Sequence, residues 1–257
     1  MKTMIYQDHD NILTGMTMKD CSEPECNNMA LHACVSAVDV TNNRRRLASF
    51  LQCELEDFVF ANQTHSANFH KVTAQDRGKG ALRQETAIAD TDALYTFETD
   101  MVLCSLTADC VPVLFYSDDS TLIGAIHSGW QGTVKEITLK LFRHLQHNEQ
   151  CDLSQIHVQI GAALSQEKFE VDEDVYKKFH ELGYADQWID YQVKTKKYHI
   201  NNQLTVKKQC ELARIPEANI TIDRTCTFLS PNGFSYRQDK QAGRHVSFIK
   251  RTTQKMQ

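Results

Sequence analysis

The sequence predicts an α+β fold, a single domain over 1–257 with mixed β-sheets and flanking helices. Three observations carry this. Short β-branched and aromatic runs recur along the chain, four stretches show helical apolar spacing, and the two kinds of segment do not alternate as βαβ units would. The four prolines, at 24, 112, 216 and 231, are too scattered to mark a domain boundary. A chain of 257 residues can bury one large core.

The elements follow in order. A helix over 44–55 carries Leu47, Phe50 and Leu51 on one face, and a strand over 57–61 comes next. Strands over 101–107, 112–116 and 122–127 lead into a helix over 133–146, which repeats Val134, Ile137, Leu141 and Leu145. After a strand over 156–160, a helix over 172–182 presents Val175, Phe179 and Leu182 and stops before Gly183. A helix over 201–214 ends at Ile215-Pro216, and a strand over 219–223 follows.

Composition bounds the function. With 33 acidic and 28 basic side chains the net charge is −5, which gives no general electrostatic reason to bind nucleic acid or acidic lipid. No apolar run is long enough to span a bilayer, and the first ten residues lack the apolar core of a secretory signal. Nine cysteines, scattered and odd in number, form no C-x-x-C, so neither a disulfide scaffold nor a zinc ribbon is indicated. A cytoplasmic location is expected.

Three segments then stand out: Gln63-Thr64-His65-Ser66, Ala108-Asp109-Cys110 and His127-Ser128-Gly129-Trp130-Gln131-Gly132. His65 follows the strand over 57–61, and Gln63 shares its side if the chain stays extended. Cys110 lies in the connection between the strands over 101–107 and 112–116, and His127 ends the strand over 122–127. Two imidazoles and a thiol suit zinc and leave one tetrahedral position free, the mark of a catalytic site. The spacing 65, 110, 127 matches no short zinc motif, so a hydrogen-bonded histidine or a core cysteine is the commoner explanation of each residue alone. Gly129 and Gly132, opening a helix, either free backbone N–H groups for an anion or serve a plain tight turn.

These segments, with Ala89-Asp90-Thr91-Asp92-Ala93-Leu94, Leu106-Thr107-Ala108-Asp109-Cys110-Val111-Pro112-Val113, Phe169-Glu170-Val171 and Phe234-Ser235-Tyr236-Arg237 through Gly243-Arg244, occur in one order along the chain. In that order they resemble the laccase-domain purine nucleoside phosphorylase family, also labelled polyphenol oxidase, over about 12–249. The resemblance implies a fold similar to that of the cytotoxic necrotizing factor toxins. It also implies a zinc ion, ahead of copper, on His65, Cys110 and His127. The implied activities are phosphorolysis of adenosine, inosine and methylthioadenosine, and hydrolytic deamination of adenosine. Purine nucleosides and phosphate are then the partners, with no nucleic acid or membrane. Phosphate needs backbone amides or guanidinium forks, for which the 129–132 turn, Arg44, Arg237 and Arg244 are candidates, with Gln63 as a further substrate contact. Asp109 and Asp92 are the candidate catalytic carboxylates, either orienting a histidine ligand or protonating the purine.

The chain departs from the family pattern at Gln131, where Arg or Lys is common, at Gly161-Ala162-Ala163-Leu164, at Glu167-Lys168 and at Gln238. None of these is a ligand position. A multicopper laccase fails for want of His-x-His pairs, and His147-Asn148-Glu149 lacks the Pro-Cys-x-x-Cys of a cytidine-deaminase-type site. Two alternatives stand: a metal-free cysteine hydrolase or deamidase using Cys110 and His127, and a non-enzymatic nucleoside-binding module with structural zinc. His65 separates them, because a Cys–His pair has no need of it.

Overall fold

Strands that are apolar on both faces need cover on both sides. Met101–Thr107 and Val111–Ser117 are buried along their whole length. The computed structural model, which describes residues 1–9 and 11–253, covers them with two stacked sheets held between helices.

The chain opens with a hairpin of β1 (Thr3–His9) and β2 (Ile12–Thr17). Helix α1 (Ala37–Phe50) precedes β3 (Phe58–Val59), β4 (Phe69–Lys71) and β5 (Ala93–Thr96). Strands β6 (Met101–Thr107), β7 (Val111–Ser117) and β8 (Ile123–Ser128) run into α2 (Trp130–Val134) and α3 (Ile137–Asn148). Next come β9 (Ile156–Ile160), β10 (Glu170–Val171), α4 (Glu173–His180), β11 (Ile189–Gln192) and β12 (Lys197–Ile200). Helix α5 (Asn202–Leu212), β13 (Ile220–Ile222) and β14 (His245–Arg251) complete the chain.

One sheet has the order β1-β2-β14-β6-β3, the second β13-β9-β7-β8-β5-β4, and a small third sheet β10-β12-β11 lies apart. Both large sheets mix parallel and antiparallel pairs, as the sequence predicts. Alternation along each strand builds the layers. Val102, Cys104 and Leu106 cluster with Leu47 and Ala48 of α1 and with Leu51 just after it. Leu103 meets Leu114, Ile123 and Ala125 between the sheets. Val113 and Phe115 pack with Ile137, Leu141 and Phe142 of α3 and Val206 of α5. The result is a helix–sheet–sheet–helix stack.

Several boundaries differ from the sequence expectation for identifiable reasons. Helix α1 starts at Ala37, seven residues before the expected 44, because the Ser36 side chain accepts from the Asp39 amide and caps it. Phe50, expected on its core face, is 49% exposed. The helix over 133–146 is two helices, broken where Glu136 adopts φ +60. The strand over 57–61 shortens to Phe58–Val59. Strand β14 was not expected, since Lys250 and Arg251 end it. Both are buried, with Lys250 donating to the Leu51 and Gln52 carbonyls and Arg251 to those of Ser120 and Ser117.

Candidate metal centre

The β6–β7 connection carries the chain from one large sheet to the other, and Cys110 sits in that corner. Preceding it, Asp109 takes φ +85. Its carboxylate accepts from the Thr227 hydroxyl at 2.7 Å and from the Arg237 amide at 2.6 Å. His127, opposite Pro112 near the end of β8, is buried. His65 arrives on the loop after β3.

That loop is not extended. His65 has φ +59, and a single carboxylate holds the turn. Asp92 Oδ1 accepts from the His65 amide at 3.0 Å, while Oδ2 accepts from the amides of Thr64 at 3.1 Å and Ser66 at 2.7 Å and from the Ser66 hydroxyl at 2.6 Å. The same Oδ1 accepts from His127 Nδ1 at 2.7 Å. Although burial opposes its charge, the hydrogen bonds from His127 and Ser66 hold the Asp92 carboxyl well below the usual range. Its carboxylate accepts from the 64–66 turn and from His127 and lines neither cavity at the centre, so Asp92 stands behind the histidines. It is the positioning residue for two histidines. The chain is not extended here, yet Gln63 and His65 both line one cavity beside the centre. Both ends of the Gln63 amide are taken by the Leu106 backbone, at 2.8 Å each.

The three side chains converge. Their ligand atoms all lie within 4.8 Å of one another, with Cys110 Sγ 3.7 Å from His65 Nε2 and the two imidazoles edge to face at 4.8 Å between centroids. A tetrahedral zinc, bonded to nitrogen at about 2.0–2.1 Å and sulfur at about 2.3 Å, holds its ligand atoms about 3.5 Å apart. Borderline-soft thiolate and imidazole donors at this spacing fit such an ion. With Nδ1 bound to Asp92, His127 presents Nε2 to the centre. Burial works against charge on Cys110, but the His127 charge and hydrogen bonds from both histidines outweigh it and bring the thiol down to about 6. Burial likewise works against a charged His127, yet Cys110 and Asp92 push its pKa up.

Close packing explains the glycines of the following turn. A Cβ on Gly129 would stand 2.6 Å from His65 Cδ2 and 3.0 Å from Cys110 Sγ, and one on Gly132 would stand 3.3 Å from the Ser66 carbonyl. Helix α2 is only five residues long. Gly129 lets the ligands approach, a steric need for glycine beside the two roles the sequence leaves open. Arg44 is elsewhere. It is fully buried, donating from Nε to Met29 O and from Nη1 to Gly80 O and Ala81 O, with its guanidinium 3.9 Å from the Phe60 centroid. It lines neither cavity at the centre and holds the α1 layer together instead.

Two cavities meet at the ligand residues. The first, of about 450 Å³, has apolar walls from Trp130, Phe169, Val171 and Val175, with Asp109, Arg237 and Asn202 also lining it. Arg237 there donates to Glu170 O at 2.8 Å. The second, of about 370 Å³, is lined by Gln63, His127, His32, Gln84 and Arg244. His65, Ala108, Cys110 and Tyr236 line both. Of the arginines expected at the site, the structure brings Arg237 and Arg244 to it. His32 and Gln84 were missed, because each lies in a turn with no periodicity or motif around it. Asp109 reaches the first cavity but is bound to Thr227 and the Arg237 amide, so it ties the Cys110 corner to the C-terminal loops.

The comparisons agree with this geometry. Residues 16–252 match the model of the family described as multi-copper polyphenol oxidoreductase laccase. A purine nucleoside phosphorylase from Bacillus subtilis, YlmD, is 33% identical over 253 residues, covering 95% of this chain and 90% of its own. The crystal structure of YlmD from Geobacillus stearothermophilus superposes with a TM-score of 0.89 at 32% identity, over 94% of this chain and 92% of that one. A hypothetical protein from Bacillus licheniformis, YfiH, gives the same TM-score and identity over 94% and 93% of the two chains. With a family match along most of its length and a relative one third identical from end to end, this chain belongs to the laccase-domain family.

Proposed function

We propose that this protein is a zinc-dependent purine nucleoside phosphorylase, acting on adenosine, inosine and methylthioadenosine, that also deaminates adenosine. The observation that carries the reading is the convergence of His65, Cys110 and His127 at the junction of two cavities. The name of the Bacillus subtilis relative supports the phosphorylase part. Nine free thiols support a reducing, cytoplasmic setting. Zinc held by these three side chains would supply a Lewis acid. The chain's own residues do the rest. Asp92 keeps His127 in the Nδ1–H tautomer, and Trp130 and Phe169 offer apolar surface to a purine.

One experiment tests both activities. The protein is incubated with adenosine, with and without phosphate, and adenine is separated from inosine, beside a metal analysis. Adenine that appears only with phosphate, inosine in either case and about one zinc per chain are expected. His65→Ala abolishes both products. Loss of deamination alone confines the metal to water chemistry.

The arrangement Cys110–His127–Asp92 also favours a second reading, a metal-free cysteine hydrolase or deamidase with a thiol already lowered to about 6. Full activity without metal, retained in His65→Ala, selects it. Activity that follows copper rather than zinc content overturns the choice of metal.

A further inference from the structure

The two cavities differ in charge. Among its lining residues the first carries the carboxylates of Asp109, Glu170, Asp172 and Asp174 against Arg237 and Lys240. Among the described residues no carboxylate lines the second, whose ionisable groups are Arg244, His32, Tyr236 and the three candidate ligands His65, Cys110 and His127. The Arg244 guanidinium donates only to the Ala242 and Gly243 carbonyls and, among the described residues, pairs with no carboxylate. Crowding by protein atoms, then the charges of Arg244 and Arg44, lower the pKa of His32 and favour its neutral imidazole, which meets an anion as a hydrogen-bond donor. A wider outer groove continues from the second cavity past His32 and Arg244 and adds Lys19 and Lys240 against Glu25 and Asp239.

We infer that the two substrates reach the centre from opposite sides, with inorganic phosphate held by His32 and Arg244 in the second cavity and the nucleoside in the first. The inference rests on the phosphorylase reading and deepens it. A phosphate dianion placed among four carboxylates is repelled, and one placed beside an unpaired guanidinium is attracted. A neutral nucleoside has hydroxyls to donate to carboxylates and a flat base to lay on Trp130 and Phe169.

The reaction needs this opposition. A phosphate oxygen forms a bond to C1′ as the C1′–N9 bond breaks, and the electron pair leaves with the purine. The purine takes up the proton that hydrogen phosphate brings, so sugar phosphate and free base balance the substrates. Attack in line places phosphate and base on opposite faces of the sugar. The only residues common to both cavities are His65, Ala108, Cys110 and Tyr236, so the sugar sits against them. Tyr236, 45% exposed and within 5.6 Å of the Arg244 guanidinium, forms the partition.

The test is made on the metal-loaded protein. Arg244→Gln and His32→Gln are each expected to raise the KM for phosphate about tenfold or more, with the nucleoside KM changed less than about twofold. Arg237→Gln gives the reverse pattern. Calorimetric titration with inorganic phosphate reads the same subsite without turnover, and both substitutions at the second cavity weaken it. His32 lies in an exposed turn, so its variant reports even if Arg244→Gln folds poorly. Phosphate affinity unchanged in His32→Gln and in folded Arg244→Gln, or lost in Arg237→Gln, overturns the assignment and leaves the phosphorylase reading standing. Phosphate binding that depends on His32 and Arg244, without any phosphorolysis, keeps the anion subsite and overturns the phosphorylase reading.

Discussion

Replacing Asp92 with Asn changes one atom of the carboxylate and reaches both the 64–66 turn and His127. Oδ1 takes the His65 amide and His127 Nδ1, and Oδ2 takes the Thr64 and Ser66 amides and the Ser66 hydroxyl. Whichever oxygen becomes NH₂, at least two donors then face a donor. The least damaging rotamer keeps oxygen at Oδ2 and sets the amide against His65 and His127. At about 1.5–3 kcal/mol for each of the two hydrogen bonds to a charged group, the variant loses about 3–6 kcal/mol of folding stability. The effect on the centre is more specific. An amide donating to His127 Nδ1 drives the imidazole proton to Nε2, the atom that faces Cys110, and a protonated nitrogen is no ligand. Metal affinity should therefore fall about 10–100-fold. Denaturant titration of the metal-free proteins measures the first effect and competition with a chromogenic chelator the second. Wild-type metal affinity in Asp92→Asn refutes the positioning role, whatever happens to stability.

Other expectations are separable by design. Gly129→Ala keeps a backbone that alanine tolerates (φ −64, ψ 164), but its methyl meets His65 and Cys110, so metal affinity drops at least about tenfold while the melting temperature changes little. Chelator competition and a thermal scan of the metal-free form check it. Arg44→Met leaves the Met29, Gly80 and Ala81 carbonyls unsatisfied and costs about 3 kcal/mol on denaturation. The phosphate KM stays unchanged in the folded fraction, and a rise there would return Arg44 to the site. His245 is held neutral, its pKa pushed down to about 4 by burial while Nδ1 donates to Thr17 O and Nε2 accepts from the Phe234 amide. The unfolded chain binds this proton below 6.5 and the folded chain only below about 4. The stabilisation is therefore complete above pH 6.5 and falls by about 3 kcal/mol as the pH drops to 4. His245→Gln should flatten that slope in unfolding measured from pH 7 to 4.

The sequence shows the fold where a strand's character is local and hides it where tertiary partners supply it. Strands β6 and β9 appear at their observed bounds because their residues are apolar or β-branched throughout or at alternate positions. Strand β14 ends in Lys250-Arg251, and only the carbonyls of Leu51, Gln52, Ser117 and Ser120 make those cations acceptable inside. No window of sequence contains those partners. At the site, His65, Cys110 and His127 stand out because each is flanked by turn residues at a strand end. Gln63 and Asp92 show as motif members, but their work for the Leu106 backbone and for His127 is visible only in three dimensions. Arg44 looks like a free cation in sequence, and burial among three carbonyls makes it structural. His32 carries no signal until the fold sets it beside Arg244.

The placement of the ligands explains why no short zinc motif is present. His65 follows β3 in one large sheet, His127 lies near the end of β8 in the other, and Cys110 occupies the corner where β6 passes into β7. A short motif holds a metal within one hairpin or helix, whereas here the three candidate ligands come from two stacked sheets. Asp92, leading into β5, repeats the bridge one shell out, accepting from the β3 loop and from His127 with the same carboxylate. The precision of the centre is thus set by how the sheets stack, through residues such as Leu103 and Leu114 that lie between them. A site built this way opens toward the edge of the stack, where loops from both sheets meet, and two cavities of different chemistry on its two sides follow from that position.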